Sequence, residues 1–196
     1  MATNGNKGKT LLSLLCGDEW AWDQGRVYSL KFHENGTGEI TACQEMVIFI
    51  AAEFDWESSG TTPTLAQPFE PDHDNGTEFD VQITLTKRRM AKIPDRYKIN
   101  EENLEESAFQ PKKYRLRLEQ GMFMPKEPPA WHRLRLAFNP SPYPTLDHWK
   151  CKQAAEAIRF WEMDTFHSQK VPSRDESDGA TATKGSGDGP SPCKFM

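Results

Sequence analysis

The sequence predicts an all-β fold, a single antiparallel barrel or sandwich, and three observations carry that prediction. Segments of alternating apolar and polar residues recur along the chain: RVYSLKF, EFDVQITLTKRR, KYRLRLEQGMF and HRLRLAF. A period of two sends successive side chains to opposite faces of a strand, so each segment has one apolar face to bury. Turn-forming clusters separate these segments, among them Asn35-Gly36 and the stretch SSGTTPTLAQPFEPDHDNGT. Helix signals are few and short, and a domain of many such strands closes as a barrel or as two packed sheets.

Residues 1–10 are polar and glycine-rich and read as a flexible lead-in, with β-type patterning from Leu11 onward. In RVYSLKF, Tyr28, Leu30 and Phe32 share one face and Val27, Ser29 and Lys31 the other. Asn35-Gly36 then turns the chain, because both residues tolerate positive φ. The return runs from Glu39 into MVIFIAAEFDW, where Ile40, Ala42, Met46, Ile48, Ile50, Ala52, Phe54 and Trp56 keep the apolar parity. So long a stretch either bends at a bulge or divides into two strands. Phe79, Val81, Ile83 and Leu85 form the inward set of the next strand. INEENLEESAF is the best helix signal: Asn100 stands where a cap belongs and acidic residues crowd the first turn, which predicts a helix near residues 100–108. TLDHWK suggests one or two helical turns near 145–151, and EAIRFWEMDTF reads as a closing strand. Tyr28, Leu30, Phe32, Ile48, Ile50, Val81, Ile83, Leu116, Leu118, Leu134 and Leu136 are therefore expected to share one interior. The barrel domain covers residues 11–167. In residues 168–196, SQKVPSRDESDGATATKGSGDGPSP has no aromatic residue and one large aliphatic, Val171, too little apolar area to offset ordering entropy, so this tail is expected to be disordered.

Composition bounds the function. The net charge of −5 over 196 residues argues against a nucleic-acid binder, which needs a basic field to draw phosphates. No apolar run reaches the roughly 18 residues of a membrane-spanning helix, and LLSLLC is too short for a secretory signal. The expected compartment is the cytoplasm, where the four cysteines (Cys16, Cys43, Cys151 and Cys193) read as reduced thiols.

No motif fixes a reaction. DHDNGTE has its glycine at the fifth position rather than the sixth that a calcium loop requires, and His148 with Cys151 is half a zinc site without a second half. Neither a nucleophile elbow nor a phosphate loop occurs between a strand and a helix, so no cofactor and no catalytic residue are assigned. Glu53 and Asp55 point away from the apolar face and read as solvated outer carboxylates. Arg115, Arg117, Arg133 and Arg135 alternate with leucines, and pairing of their strands would gather them on one outer face, attractive to anionic head groups. Balance by acidic neighbours is the plainer reading. The aromatics Trp20, Trp22, Tyr28, Phe32, Phe54, Trp56, Phe160 and Trp161 either line a lumen holding one hydrophobic molecule or serve as core filler.

The last four residues, CKFM, satisfy a prenylation frame: Cys193 stands fourth from the end, and methionine at the last place favours farnesyl. Lipidation at Cys193 would give peripheral membrane contact, although one lipid chain alone binds marginally.

The opening LLCGDEWAW…VYSLKFHENGTGEI…FDW resembles small lipocalin-like barrels of the calycin kind, over the first third of the chain. There a Gly-Trp entry leads into a long strand, a Gly-rich hairpin and a return strand; here Gly17 and Trp20 are separated by two residues. The texture is also similar to proteins of filamentous fungi, a likeness that brings no activity. The resemblance implies a lumen with a ligand-binding set of Trp20, Tyr28, Phe32, Phe54, Trp56, Arg159 and Trp161, in which Arg159 stands in for a last-strand arginine packed on Trp20. Three functions follow as expectations. The first is a cytoplasmic barrel that binds a hydrophobic small molecule, the second a cofactor-free isomerase or cyclase acting in the lumen, and the third a membrane-tethered interaction module with a filled core. An empty apolar lumen would favour the first, an empty lumen with an inward polar group the second, and a filled one the third.

Overall fold

Eight antiparallel strands close into one ring in the computed structural model, which describes residues 8–44, 47–59, 65–69, 76–91, 93, 98–124 and 131–170. They are β1 (Trp20–Ala21), β2 (Tyr28–Phe32), β3 (Thr37–Gln44), β4 (Val47–Ser58), β5 (Thr77–Arg89), β6 (Lys112–Phe123), β7 (His132–Asn139) and β8 (Thr165–Lys170). Each pairs with its neighbours in chain order, and β8 returns to β1 through a single register pair, Ala21 with His167. The all-β antiparallel barrel read from the alternating segments is the observed architecture.

The long apolar return after Asn35-Gly36 is two strands, β3 and β4, paired from Thr37 with Asp55 to Gln44 with Val47. Met46 lies outside the described residues. All the positions expected to share the interior do so, with one exception. Between Ala42 and Cys43 the partner on β4 shifts from Ile50 to Ile48, which leaves Phe49 as an extra residue. This bulge breaks the period of two, so Ile48 leaves the interior and packs on the outside with Ala51, Met90 and Ile93.

Short helical pieces are more numerous than the two expected. α1 (Leu11–Leu15) occupies the stretch read as β-type. Thr10 caps it by accepting the Ser13 N–H at 3.1 Å, and Leu11, Leu14 and Leu15, at helical spacing, are buried. α2 (Ile99–Asn103) and single turns at Glu106–Phe109 and Leu146–His148 fall near the places predicted. EAIRFWEMDTF is not one closing strand: α3 (Lys152–Ile158) and a turn at Phe160–Glu162 precede β8. Ala154, Ala155 and Ala157 favour the helix, and Arg159 in a left-handed conformation (φ 60°) ends it and reverses the chain.

Asn100 does not cap α2. Lys98 holds the cap position without a side-chain bond, and Asn100, fully buried, turns to β4 instead. Its Oδ1 accepts the Ala51 N–H at 2.9 Å and its Nδ2 donates to the Ala51 carbonyl at 2.9 Å. Asn103 Nδ2 donates to the Phe49 carbonyl at 3.0 Å. The register of β5 against β4 shifts between Ala52 and Phe54, and beside that irregularity a side-chain amide satisfies the β4 backbone as a neighbouring strand would.

Gly38 on β3 faces Phe54 on β4. A Cβ there would lie 2.2 Å from Phe54 Cζ and 2.5 Å from the Lys31 carbonyl oxygen. Gly38→Ala is expected to destabilise the barrel by about 1–3 kcal/mol through overpacking. Urea unfolding should show a lower midpoint at an unchanged slope; an unshifted midpoint would mean that the Phe54 ring can swing away freely.

Candidate functional site: the barrel interior and its rim

Aromatic rings meet across the barrel axis. Phe32 of β2 lies 5.3 Å from Phe54 and 5.4 Å from Trp56, both of β4, and 6.5 Å from Phe138 of β7. Phe138 in turn lies 6.2 Å from Tyr114 of β6 and 5.6 Å from Phe166 of β8. The Trp56 indole is fixed by donating to the carbonyls of His33 (3.1 Å) and Thr37 (2.9 Å). One barrel end is closed by α1, whose Leu15 carbonyl accepts the Trp20 indole N–H at 2.8 Å. At the opposite end Trp149 stacks on Phe160 at 4.7 Å, Phe160 touches Phe49 and Tyr28, and the Tyr143 hydroxyl donates to the Thr41 carbonyl at 2.7 Å.

Beside this packing a recess of about 20 Å³ remains, bordered by Leu30, Ile40, Phe54, Ile83, Lys112 and Tyr114. It has room for about one water, whereas a small-molecule pocket takes about 300–1,000 Å³. Burial lowers the pKa of the Lys112 ammonium and pushes the Tyr114 phenol up to about 12. Tyr143 is held well above the ordinary phenol range by burial, with Asp23 and Tyr28 adding to it. Both phenols therefore remain protonated at neutral pH, and the Tyr143 hydroxyl serves as a hydrogen-bond donor to Thr41.

Of the residues assigned to ligand binding from sequence, Phe32, Phe54 and Trp56 form one contact group in the interior. Trp20 is buried against α1, and Tyr28 packs edge-on to Trp22 and Phe160. Trp161 is half-buried against the outside of the core. Arg159 lies outside the last strand, which is β8; its side chain is 59% exposed and pairs with Glu162. It therefore does not supply the last-strand arginine that the resemblance implied. Cys193 and DHDNGTE up to Asn75 lie outside the described residues. Sequence reasoning missed Phe138 and Phe166 as ring partners, although Phe138 continues the parity of Leu134 and Leu136. Tyr143 and Trp149 had no periodic signal, since they sit in irregular chain.

On the outer face the arginines are neutralised in part. The β6–β7 register sets Arg115 opposite Asn139, Arg117 opposite Ala137 and Glu119 opposite Arg135. Arg115 pairs with Asp80 at 3.2 Å, Arg117 with Glu119 at 3.2 Å, and Arg135 with the same Glu119. Arg88 bridges Glu53 and Asp55, the outward carboxylates of β4. Ser107 Oγ lies 2.8 Å from His148 Nδ1, and burial holds that imidazole below its usual range. Among the described residues no cluster of three or more metal-ligating side chains forms, and no helix is long and apolar enough to cross a membrane. Cys16 and Cys151 are free thiols.

His167 lies 5.7 Å from the His132 ring, and its pKa falls from 6.5 to about 4 through burial, with the charges of His132 and Arg135 adding to it. The unfolded chain takes up this proton near 6.5 and the folded one only near 4, so the contribution is complete above pH 6.5 and is lost as pH falls through that window. His167→Gln is expected to flatten the fall in urea midpoint between those two values relative to the parent. Parallel profiles would assign the acid sensitivity elsewhere.

Comparison with protein-family models, curated proteins and solved structures finds no match.

Proposed function

We propose that this barrel works through its outer surface, as an interaction module whose interior is packed for stability. The observation that supports this reading is the meeting of rings from β2, β4, β6, β7 and β8 across the axis, beside a recess of only about 20 Å³. A hydrophobic ligand of ordinary size would have to displace several of these rings at once. Native mass spectrometry of the protein purified from its own host tests the reading. The expected result is a polypeptide mass with no retained small molecule, and a stoichiometric non-covalent adduct would overturn it. The same spectrum reads any covalent lipid on Cys193.

A second reading, binding of a hydrophobic small molecule, draws on Lys112. This half-buried ammonium has no ion pair among the described residues and borders an apolar recess. Outward movement of the neighbouring cover at Ala108, Pro142 and Pro144 would enlarge the recess. An adduct in the native spectrum that disappears in Lys112→Met would select this reading.

A further inference from the structure

Lys112 stands where the pattern of β6 calls for an apolar side chain. It shares the inward parity of Tyr114, Leu116 and Leu118, and its register partner on β5 is the buried Ile83. Its neighbour Lys113, on the opposite face, is exposed. Lys112 is half-buried at the border of the apolar recess and forms no ion pair among the described residues. Gln110, which is exposed, lies on the same border, so the recess has its mouth here. Burial without a counter-charge favours the neutral amine and lowers the pKa of this ammonium. The titratable groups around it are the protonated Tyr114 phenol and His148. Burial and the Lys112 charge both hold the His148 imidazole below its usual range, and Ser107 Oγ lies 2.8 Å from its Nδ1. The imidazole is therefore a base at neutral pH.

We propose that Lys112 is a carbonyl-binding residue, whose Nζ forms a reversible imine with a short-chain aldehyde while the alkyl group of the aldehyde fills the recess. This rests on the reading that places an apolar guest beside Lys112, and it adds the bond and the class of guest. The neutral amine adds to the carbonyl carbon, and as the C–N bond forms one C–O electron pair moves to oxygen. Both amine protons pass to that oxygen, with His148 as the carrier, and it leaves as one water when the C=N bond forms. No oxidant or reductant is consumed. The size of the recess sets the class of aldehyde: about 20 Å³ has room for about one water, which matches an alkyl group of about one or two carbons. The rings around Phe32 and the cover at Ala108, Pro142 and Pro144 need not move for so short a guest. A free carboxylate is a poorer partner, because it would need the charged form of Lys112 that burial disfavours.

The test is reductive trapping on the full-length protein at neutral pH with propanal and sodium cyanoborohydride. Peptide mass mapping then compares Lys112 with Lys113. Lys112 is expected to gain its propyl group at least about tenfold faster, the factor that one unit of lowered pKa supplies. The ratio should fall as pH rises and ordinary lysines lose their proton too. A half-buried lysine with a purely structural role would react more slowly than its exposed neighbour, and that result overturns the assignment. Pivaldehyde, too wide for the recess, should reverse the ratio; an undiminished preference for Lys112 would show that the recess selects nothing and overturn the class of guest. His148→Gln should slow labelling at Lys112 and leave Lys113 unchanged, and parent rates at both would remove the imidazole from the step. The underlying reading fails separately. A native adduct that persists in Lys112→Met rejects the place of the guest, whereas an adduct lost in that variant, with no trapping at Lys112 in the parent, keeps the place and rejects the bond.

Discussion

Phe32→Ala is expected to cost about 3–5 kcal/mol, a large share of the roughly 5–15 kcal/mol that holds a domain of this size together. Phe32 is fully buried, and its ring is the hub between Phe54, Trp56 and Phe138. Its neighbours cannot close the hole. Trp56 is tied to two backbone carbonyls, and Phe54 is seated over Gly38. The void should therefore stay open and dry, as apolar cavities do. Chemical denaturation reads the loss of stability. Thermal unfolding with and without benzene reads the void: benzene should raise the melting temperature of the variant and leave the parent unchanged. Stabilisation of the parent would show that its interior already admits apolar guests.

Asn100→Ala is expected to cost about 2–5 kcal/mol, because each of the two Ala51 backbone groups left unpaired in a buried place carries a penalty of about 1–3 kcal/mol. The change removes few apolar contacts, so packing alone would predict a small effect. Asn100→Asp should be no rescue. It keeps an acceptor for the Ala51 N–H but sets a carboxylate oxygen against the Ala51 carbonyl. Hydrogen exchange localises the cause: the Ala51 amide should lose protection selectively, ahead of amides in β6 and β7. Protection at Ala51 equal to the parent would mean that β4 finds another partner without this side chain.

These two residues show what a sequence makes legible. The parity of Tyr28, Leu30 and Phe32 is local and survives into the barrel, since a strand carries its period wherever it pairs. Asn35-Gly36 is legible for the same reason, because a turn is decided by its own dihedral angles. Asn100 has the local look of a helix cap, and its actual partner lies 49 residues away on β4. Nothing in INEEN encodes the irregularity that leaves Ala51 in need of that partner. Ile48 is the same lesson within a strand: one extra residue at Phe49 reverses the face, and bulges have no periodic signature. In the candidate site the inward aromatics could be named in advance, but whether they leave a lumen depends on how far rings from opposite strands reach. Arg159 could be assigned to the last strand only while EAIRFWEMDTF was read as one element. Met122 and Met124 continue the spacing of Leu116 and Leu118 yet are exposed, because the register shift between Gln120 and Phe123 breaks that parity.

A closed ring offers no template to other chains, because every strand already has two neighbours. Here that protection depends on β1, which has two residues and meets β8 at one register pair. Were this latch to open, Thr165–Lys170 would become a free edge while the other seven pairings stayed intact. Mild heat would then favour edge-to-edge growth before general unfolding, and the solubility of the protein would be set by two residues.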